Sequence, residues 1–253
     1  MKLFFRKFGE GDPLIILHGV FGSSDNWQTI AKRLAANNSV YIVDARNHGL
    51  SPHSDVFNFT SMSDDLLELM EDNNIINPIL IGHSMGGKTA MTFANLHPEK
   101  INKIVVVDIG PKAYPVHHSK IFEALFSINL NEIISRQDAE IKLSNLIKDT
   151  PTRQFLLKNL YRKNDTDFAW RFNLQVLNDN IENIGISQLN NPSFTKPVLF
   201  IRGENSNYIL NEDWSDILKV FPNATLCTVK DSGHWVHAEN PDGFISCLER
   251  FLA

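Results

Sequence analysis

The stretch Pro78-Ile79-Leu80-Ile81-Gly82-His83-Ser84-Met85-Gly86-Gly87-Lys88 decides how this chain is read. Its first four residues form a short apolar run of strand character, and Met85 to Leu96 reads as a helix. Between the two, Gly82 to Gly86 has the pattern G-x-S-x-G. Alone the pattern is weak, because Gly and Ser are common residues. Its position between a strand and a helix gives it meaning, since Ser84 then sits on a sharp strand-to-helix turn that presents its hydroxyl as a nucleophile. The turn forces strained angles on Ser84, and side chains in place of Gly82 or Gly86 would collide with it. The helix start also directs partial positive charge at a developing oxyanion.

Outward from this turn the same unit recurs: a short apolar run, a turn, then an amphipathic stretch. Leu14-Ile15-Ile16-Leu17 precedes a helix expected from Trp27 to Ala36. Val40-Tyr41-Ile42-Val43 precedes another, from Met62 to Asp72, with Leu66, Leu69 and Met70 at helical spacing. Ile104-Val105-Val106-Val107, Val198-Leu199-Phe200-Ile201 and a last strand near Leu226 to Val229 follow, before a terminal helix from Phe244 to Leu252. Runs apolar on both faces that alternate with helices mark a mostly parallel sheet buried between helical layers, an α/β fold. Right-handed crossovers then bring the strand C-terminal ends to one rim, where sites form.

From Lys112 to Asn191 the alternation stops. This segment reads as helical throughout, with Phe122, Leu125, Phe126, Phe155, Leu156, Leu160, Trp170 and Phe172 as its apolar members. It is expected to form a helical cap, residues 112–191, over a core of residues 1–111 and 192–253. It begins just past a strand's C-terminal end, beside the Ser84 turn.

The general base is expected from Ser232-Gly233-His234-Trp235, between the last strand and the last helix and therefore at the same rim. His237 competes with His234 but lies inside the following turn. His18, His48, His83, His117 and His118 read as hydrogen-bonding loop residues. His18-Gly19-Val20-Phe21-Gly22 follows the first buried strand, so the backbone N–H of Val20, or alternatively of Phe21, is expected to complete an oxyanion hole with that of Met85.

With these blocks in chain order, the sequence resembles the α/β-hydrolase superfamily over its whole length, and more narrowly the YbfF-type bacterial esterases. Further blocks carrying the resemblance are Asp44-Ala45-Arg46-Asn47-His48-Gly49-Leu50-Ser51, Val107-Asp108-Ile109-Gly110-Pro111 and Arg202-Gly203-Glu204-Asn205-Ser206. The superfamily's usual acid lies in a G-x-x-D pattern, and here Gly203-Glu204-Asn205-Ser206 puts Ser206 at that position. Asp108, ending the strand after the elbow helix, is the natural substitute, and the narrower resemblance implies the same relocated acid. Glu204 is the rival acid. Asp44 is a weaker one, expected to make a structural ion pair with Arg46.

The implied chemistry is acyl transfer through a Ser84 acyl-enzyme, with His234 as base and Asp108 as its orienting acid. The resemblance implies carboxylic esters or acyl thioesters, with short acyl groups or acyl-CoA, as substrate. Phe122, Phe126 and Trp170 of the cap are expected to supply the acyl pocket. Trp235, Phe21, His83 and Ser206 are counted beside them as substrate contacts. Rival readings are a carbon–carbon hydrolase or cofactor-free perhydrolase of the same fold, and a ligand receptor with little turnover. A haloalkane dehalogenase is excluded, because its elbow nucleophile must be Asp.

Composition excludes other classes. The 24 Lys and Arg residues stand against 29 Asp and Glu, a net charge of −5 without a basic run, so a nucleic-acid partner is not expected. No apolar run reaches the length of a membrane span, and Met1 to Lys7 is charged before a signal core could form. Cys227 and Cys247 fit no metal motif and read as reduced packing residues, so a cytoplasmic protein without metal or cofactor is expected.

Overall fold

A computed structural model describes residues 1–190 and 194–252. Among these, nine strands are β1 (Phe5–Phe8), β2 (Asp12–Leu17), β3 (Asn38–Val43), β4 (Ile79–His83), β5 (Lys103–Val107), β6 (Leu160–Arg162), β7 (Phe168–Trp170), β8 (Val198–Gly203) and β9 (Ala224–Val229). The helices of the first half are α1 (Gln28–Leu34), α2 (Phe59–Asp72), α3 (Met85–Leu96), α4 (Ser119–Phe126) and α5 (Arg136–Leu146). Those of the second are α6 (Thr150–Leu157), α7 (Leu174–Asp179), α8 (Trp214–Val220), α9 (Val236–Glu239) and α10 (Pro241–Leu252).

Seven strands make one sheet in the order β1-β3-β2-β4-β5-β8-β9. Only β1 runs antiparallel, pairing Phe5 with Val43. The alternation of side chains along each strand sorts the core into two layers. Ile15, Leu80, Val106 and Phe200 face Leu66, Phe93 and Ile217 of α2, α3 and α8. Their neighbours Ile16, Ile81, Val105 and Ile201 face Ile30, Phe244 and Leu248 of α1 and α10. Each such fully buried side chain contributes about 1.5–3 kcal/mol. The chain passes from β2 outward to β3 and then returns to β4 on the other side of β2. A crevice therefore opens beyond the C-terminal ends of β2 and β4, where open α/β sheets bind ligands.

Between β5 and β8 the inserted segment builds a third apolar cluster. Phe122, Leu143, Leu156 and Phe172 of the insertion meet Phe21, Phe59 and Met85 from the sheet side. The segment is not helical throughout, as its composition had suggested. Leu160–Arg162 and Phe168–Trp170 pair as an antiparallel hairpin, because the polar run Lys163–Asp167 supplies a turn between two short β-prone pieces. The boundary expected between residues 191 and 192 lies outside the described residues. Lys88, fully buried on α3, donates to the carbonyls of Lys112 at 2.7 Å and Ile186 at 2.5 Å, so it holds both ends of the insertion.

Cys227 of β9 and Cys247 of α10 form a disulfide, with Cα atoms 6.2 Å apart. This corrects the expectation of reduced thiols. Spacing along the chain carried no such signal, since the pair meets only when α10 packs back along the edge strand.

Candidate active site

The turn after β4 has the geometry its sequence requires. Ser84 adopts φ 52° and ψ −114°, a strained conformation for a residue with a Cβ. A Cβ on Gly82 would strike the Gly86 backbone, and one on Gly86 the Leu17 carbonyl, so both glycines are sterically required. The strain is held from both sides: Ser84 N–H donates to Val107 O at 3.0 Å, and Lys88 N–H to Ser84 O at 3.0 Å. The Ser84 side chain opens onto a cavity of about 690 Å³ at the β2–β4 crevice.

His234 and Trp235 line the same cavity. The His234 loop is gripped by Glu239, whose carboxylate accepts Gly233 N–H at 2.5 Å and Trp235 N–H at 3.3 Å. His83 Nε2–H donates to the His234 carbonyl at 2.8 Å. The imidazole Nδ1 meets Asp108 Oδ2 at 2.8 Å. A proton fixed on Nδ1 leaves Nε2 as the ring's acceptor. Asp108 is itself fully buried at φ 51°, its Oδ1 accepting Gly203 N–H at 3.1 Å and its Oδ2 the Ser206 hydroxyl.

Ser206 therefore binds the acid rather than a substrate, which corrects its expected role. Glu204, the rival acid, is exposed and accepts Asp231 N–H at 3.2 Å. Asp44 accepts Ser24 N–H at 2.6 Å and Leu50 N–H at 2.8 Å. The expected Asp44–Arg46 pair is not formed, because Arg46 reaches Asp65 instead at 2.7 Å. His237 is stacked on Trp27, ring centroids 3.8 Å apart, and burial pushes its pKa down to about 3. A ring so buried has little capacity to take up a proton near neutral pH.

The two alternative oxyanion donors are also separated. Phe21 N–H donates to His48 Nε2 at 3.2 Å, while His48 Nδ1–H donates to Arg46 O at 2.9 Å. Burial lowers the His48 pKa to about 3, so that acceptor stays available. Val20 N–H, and Met85 N–H at the start of α3, donate to no loop or side-chain acceptor among the described residues. Val20 and Ser84 border one cavity.

Of the expected contacts, Phe21, His83 and Trp235 line the cavity, and the three cap aromatics do not. Phe122 packs on Phe21, 5.3 Å between centroids, Trp170 stacks on Phe172 at 5.3 Å, and Phe126 is 48% exposed. Ile121, His118, Phe155 and Leu156 line it instead. Phe122 and Trp170 are used in packing against Phe21 and Phe172, whereas Phe126 points away from the cavity toward solvent. His118, expected as a hydrogen-bonding loop residue, stands at the start of α4, and burial there lowers its pKa to about 4.

Residues 12–241 match the family described as alpha/beta hydrolase fold. The chain is 37% identical over 242 residues to Esterase YbfF of Escherichia coli, covering 95% of this chain and 92% of that one. It is 39% identical over 254 residues to the sn-1-specific diacylglycerol lipase ABHD11 of Xenopus laevis, covering 96% and 80%. A solved marine microorganism esterase superposes with a TM-score of 0.97 at 44% identity, covering 99% of both chains. This chain belongs to the alpha/beta-hydrolase fold family, in the group that includes YbfF-type esterases.

Proposed function

We propose that this protein hydrolyses carboxylic esters or acyl thioesters through an acyl-enzyme on Ser84. The observation that carries the reading is the His234–Asp108 pair at 2.8 Å, opening on the cavity that Ser84 also lines. His234 Nε2 takes the proton of Ser84 as its oxygen attacks the carbonyl carbon. The N–H groups of Val20 and Met85 hold the negative oxygen, and each such donor is worth about 3 kcal/mol in the transition state. His234 returns the proton to the departing alcohol or thiol. Water, deprotonated by the same imidazole, then releases the acid. Asp108 keeps the imidazole in the required tautomer and stabilises its charged form.

Residues 112–191 act as a cap over residues 1–111 and 192–253, and the cap shapes the acyl site. The family likeness to esterases and a diacylglycerol lipase supports an ester substrate with an acyl chain. Short acyl esters and acyl-CoA are the first candidates. A cytoplasmic location would require the Cys227–Cys247 bond to persist in a reducing pool, where disulfides are rare. Thiol trapping in intact cells tests that point.

The test of the chemistry is turnover of p-nitrophenyl butyrate together with labelling by a fluorophosphonate. Ser84→Ala is expected to lower kcat by on the order of 10⁵–10⁶ and to abolish labelling. Turnover without labelling in the wild type would favour the carbon–carbon hydrolase or perhydrolase reading. Neither turnover nor labelling would favour a receptor.

A further inference from the structure

Asp108 grips one edge of the His234 ring, through Nδ1 alone. A single in-plane hydrogen bond sets the tautomer but leaves the ring's tilt to whatever touches its face. That face is covered by Tyr208, from the loop after β8, with ring centroids 4.0 Å apart and an angle of 21° between planes. Tyr208 is itself fixed. Its carbonyl accepts the Tyr114 hydroxyl at 2.6 Å, and that hydroxyl accepts Gly110 N–H at 2.8 Å. Its own N–H donates to Ser206 Oγ at 3.3 Å, the same hydroxyl that binds Asp108. The acid and the ring under the base thus hang on one hydroxyl, and the other end is latched by a residue at the start of the insertion.

We propose that Tyr208, latched by Tyr114, is a positioning residue that fixes the tilt of the His234 ring and stabilises its protonated form during acyl transfer. The inference rests on the acyl-enzyme reading above. A cation over the face of an aromatic ring is attracted by the ring's quadrupole, most strongly where water is excluded.

The other groups near the imidazole do not supply this. His83 approaches from the elbow with centroids 4.7 Å away, His118 from the start of α4 and His237 from α9. Burial lowers the pKa of all three, so they stay neutral beside the forming cation. Lys158, just past α6, is a positive charge felt by His237 and opposes rather than aids a charged ring. Burial raises the Tyr208 hydroxyl above its ordinary range, so the stacked ring is a neutral phenol. Asp108 in the plane and Tyr208 on the face are the two groups that favour the imidazolium.

The experiment is the pH dependence of kcat/KM for p-nitrophenyl butyrate and of Ser84 labelling by a fluorophosphonate. It compares the wild type with Tyr208→Phe, Tyr208→Leu and Tyr114→Phe. Tyr208→Phe keeps the ring and is expected to keep the acid limb in place. Tyr208→Leu is expected to move that limb to lower pH by about half a unit. Its kcat should fall by roughly tenfold, more than KM changes. Tyr114→Phe is expected to lower kcat a few-fold without moving the limb. If Tyr208→Leu does not fold by circular dichroism, Tyr208→Met carries the same expectation. Normal labelling with an unmoved limb in the folded Leu or Met variant overturns this proposal alone. A wild type that is never labelled overturns the acyl-enzyme reading and this proposal with it.

Discussion

At Asp108 a carboxylate is held in a left-handed backbone conformation, without exposure, by the Gly203 amide, the Ser206 hydroxyl and the His234 ring. Such a set of donors gives the carboxylate a fixed direction. Asp108→Asn would keep the shape but present an amide that stabilises the wrong tautomer of His234. Its kcat is expected to fall by about four orders of magnitude, as measured by steady-state hydrolysis of p-nitrophenyl butyrate. Glu204→Gln should change kcat less than about threefold, because an exposed carboxylate bonded to Asp231 N–H contributes little. The reverse ranking would assign the acid to the loop after β8. At this scale the sequence was legible in position, since Ser84 and Asp108 follow directly on strand ends and His234 lies on the loop after β9 at the same rim. It was not legible for Ser206 and Arg46, whose partners are chosen by side-chain reach across loops. For the oxyanion donor it preferred Val20 to Phe21, and the hydrogen bond from Phe21 N–H to His48 is what separates the two.

At the scale of elements, the parallel strands were readable because both of their faces are apolar, so their signal survives without a neighbour's help. β1 was not, since Phe5-Arg6-Lys7-Phe8 has two adjacent charged residues at its centre, is neither apolar throughout nor alternating, and becomes a strand by pairing with β3. The hairpin of β6 and β7 was hidden for the same reason: two strands of three residues have little signal of their own. The disulfide belongs here too, for it ties edge strand β9 to α10 across the loop that bears His234. The bond spans 20 residues of separation, and closing such a loop in the unfolded chain restricts it by an entropy worth about 3 kcal/mol. Reduction by dithiothreitol, or Cys247→Ala, is therefore expected to lower the unfolding free energy by about 3 kcal/mol and the urea midpoint with it, while the m-value rises because the unfolded chain without the cross-link is more open. An unchanged midpoint under reducing and oxidising conditions would mean that the bond does not form in solution. The expectation of a cytoplasmic protein drew partly on reduced thiols and loses that support.

Over the whole molecule the catalytic rim and the acyl site are built by different rules. The rim follows from sheet topology, which places Ser84 and the Val20 loop at one crevice whatever the insertion does. The acyl site depends on the rotation of two helices about their axes. On α4 the step from Phe122 to Ile121 is one residue, about 100° of turn, and it decides which side chain faces the cavity. Helical periodicity identifies an apolar stripe but not which edge of the stripe meets a void rather than a partner, so the choice of Phe122 over Ile121 was beyond it. Phe155 is the more consequential wall residue. It lines the cavity from α6 and packs on Trp235 beside the base, with centroids 5.5 Å apart, so it closes the space between cap and core. Phe155→Ala should open that wall while leaving Ser84, His234 and Asp108 untouched. Across p-nitrophenyl esters from acetate to decanoate, the kcat/KM optimum is expected to move to longer acyl chains by about two to four carbons, with activity on acetate reduced. Burial of one further methylene is worth ~0.8 kcal/mol, so a chain that gains room for two carbons gains roughly tenfold in relative kcat/KM. Ile121→Trp should act in the opposite sense by filling the cavity beneath α4. A profile that neither substitution moves would place the acyl chain elsewhere in the cavity, on the side of Asn26 and Trp27.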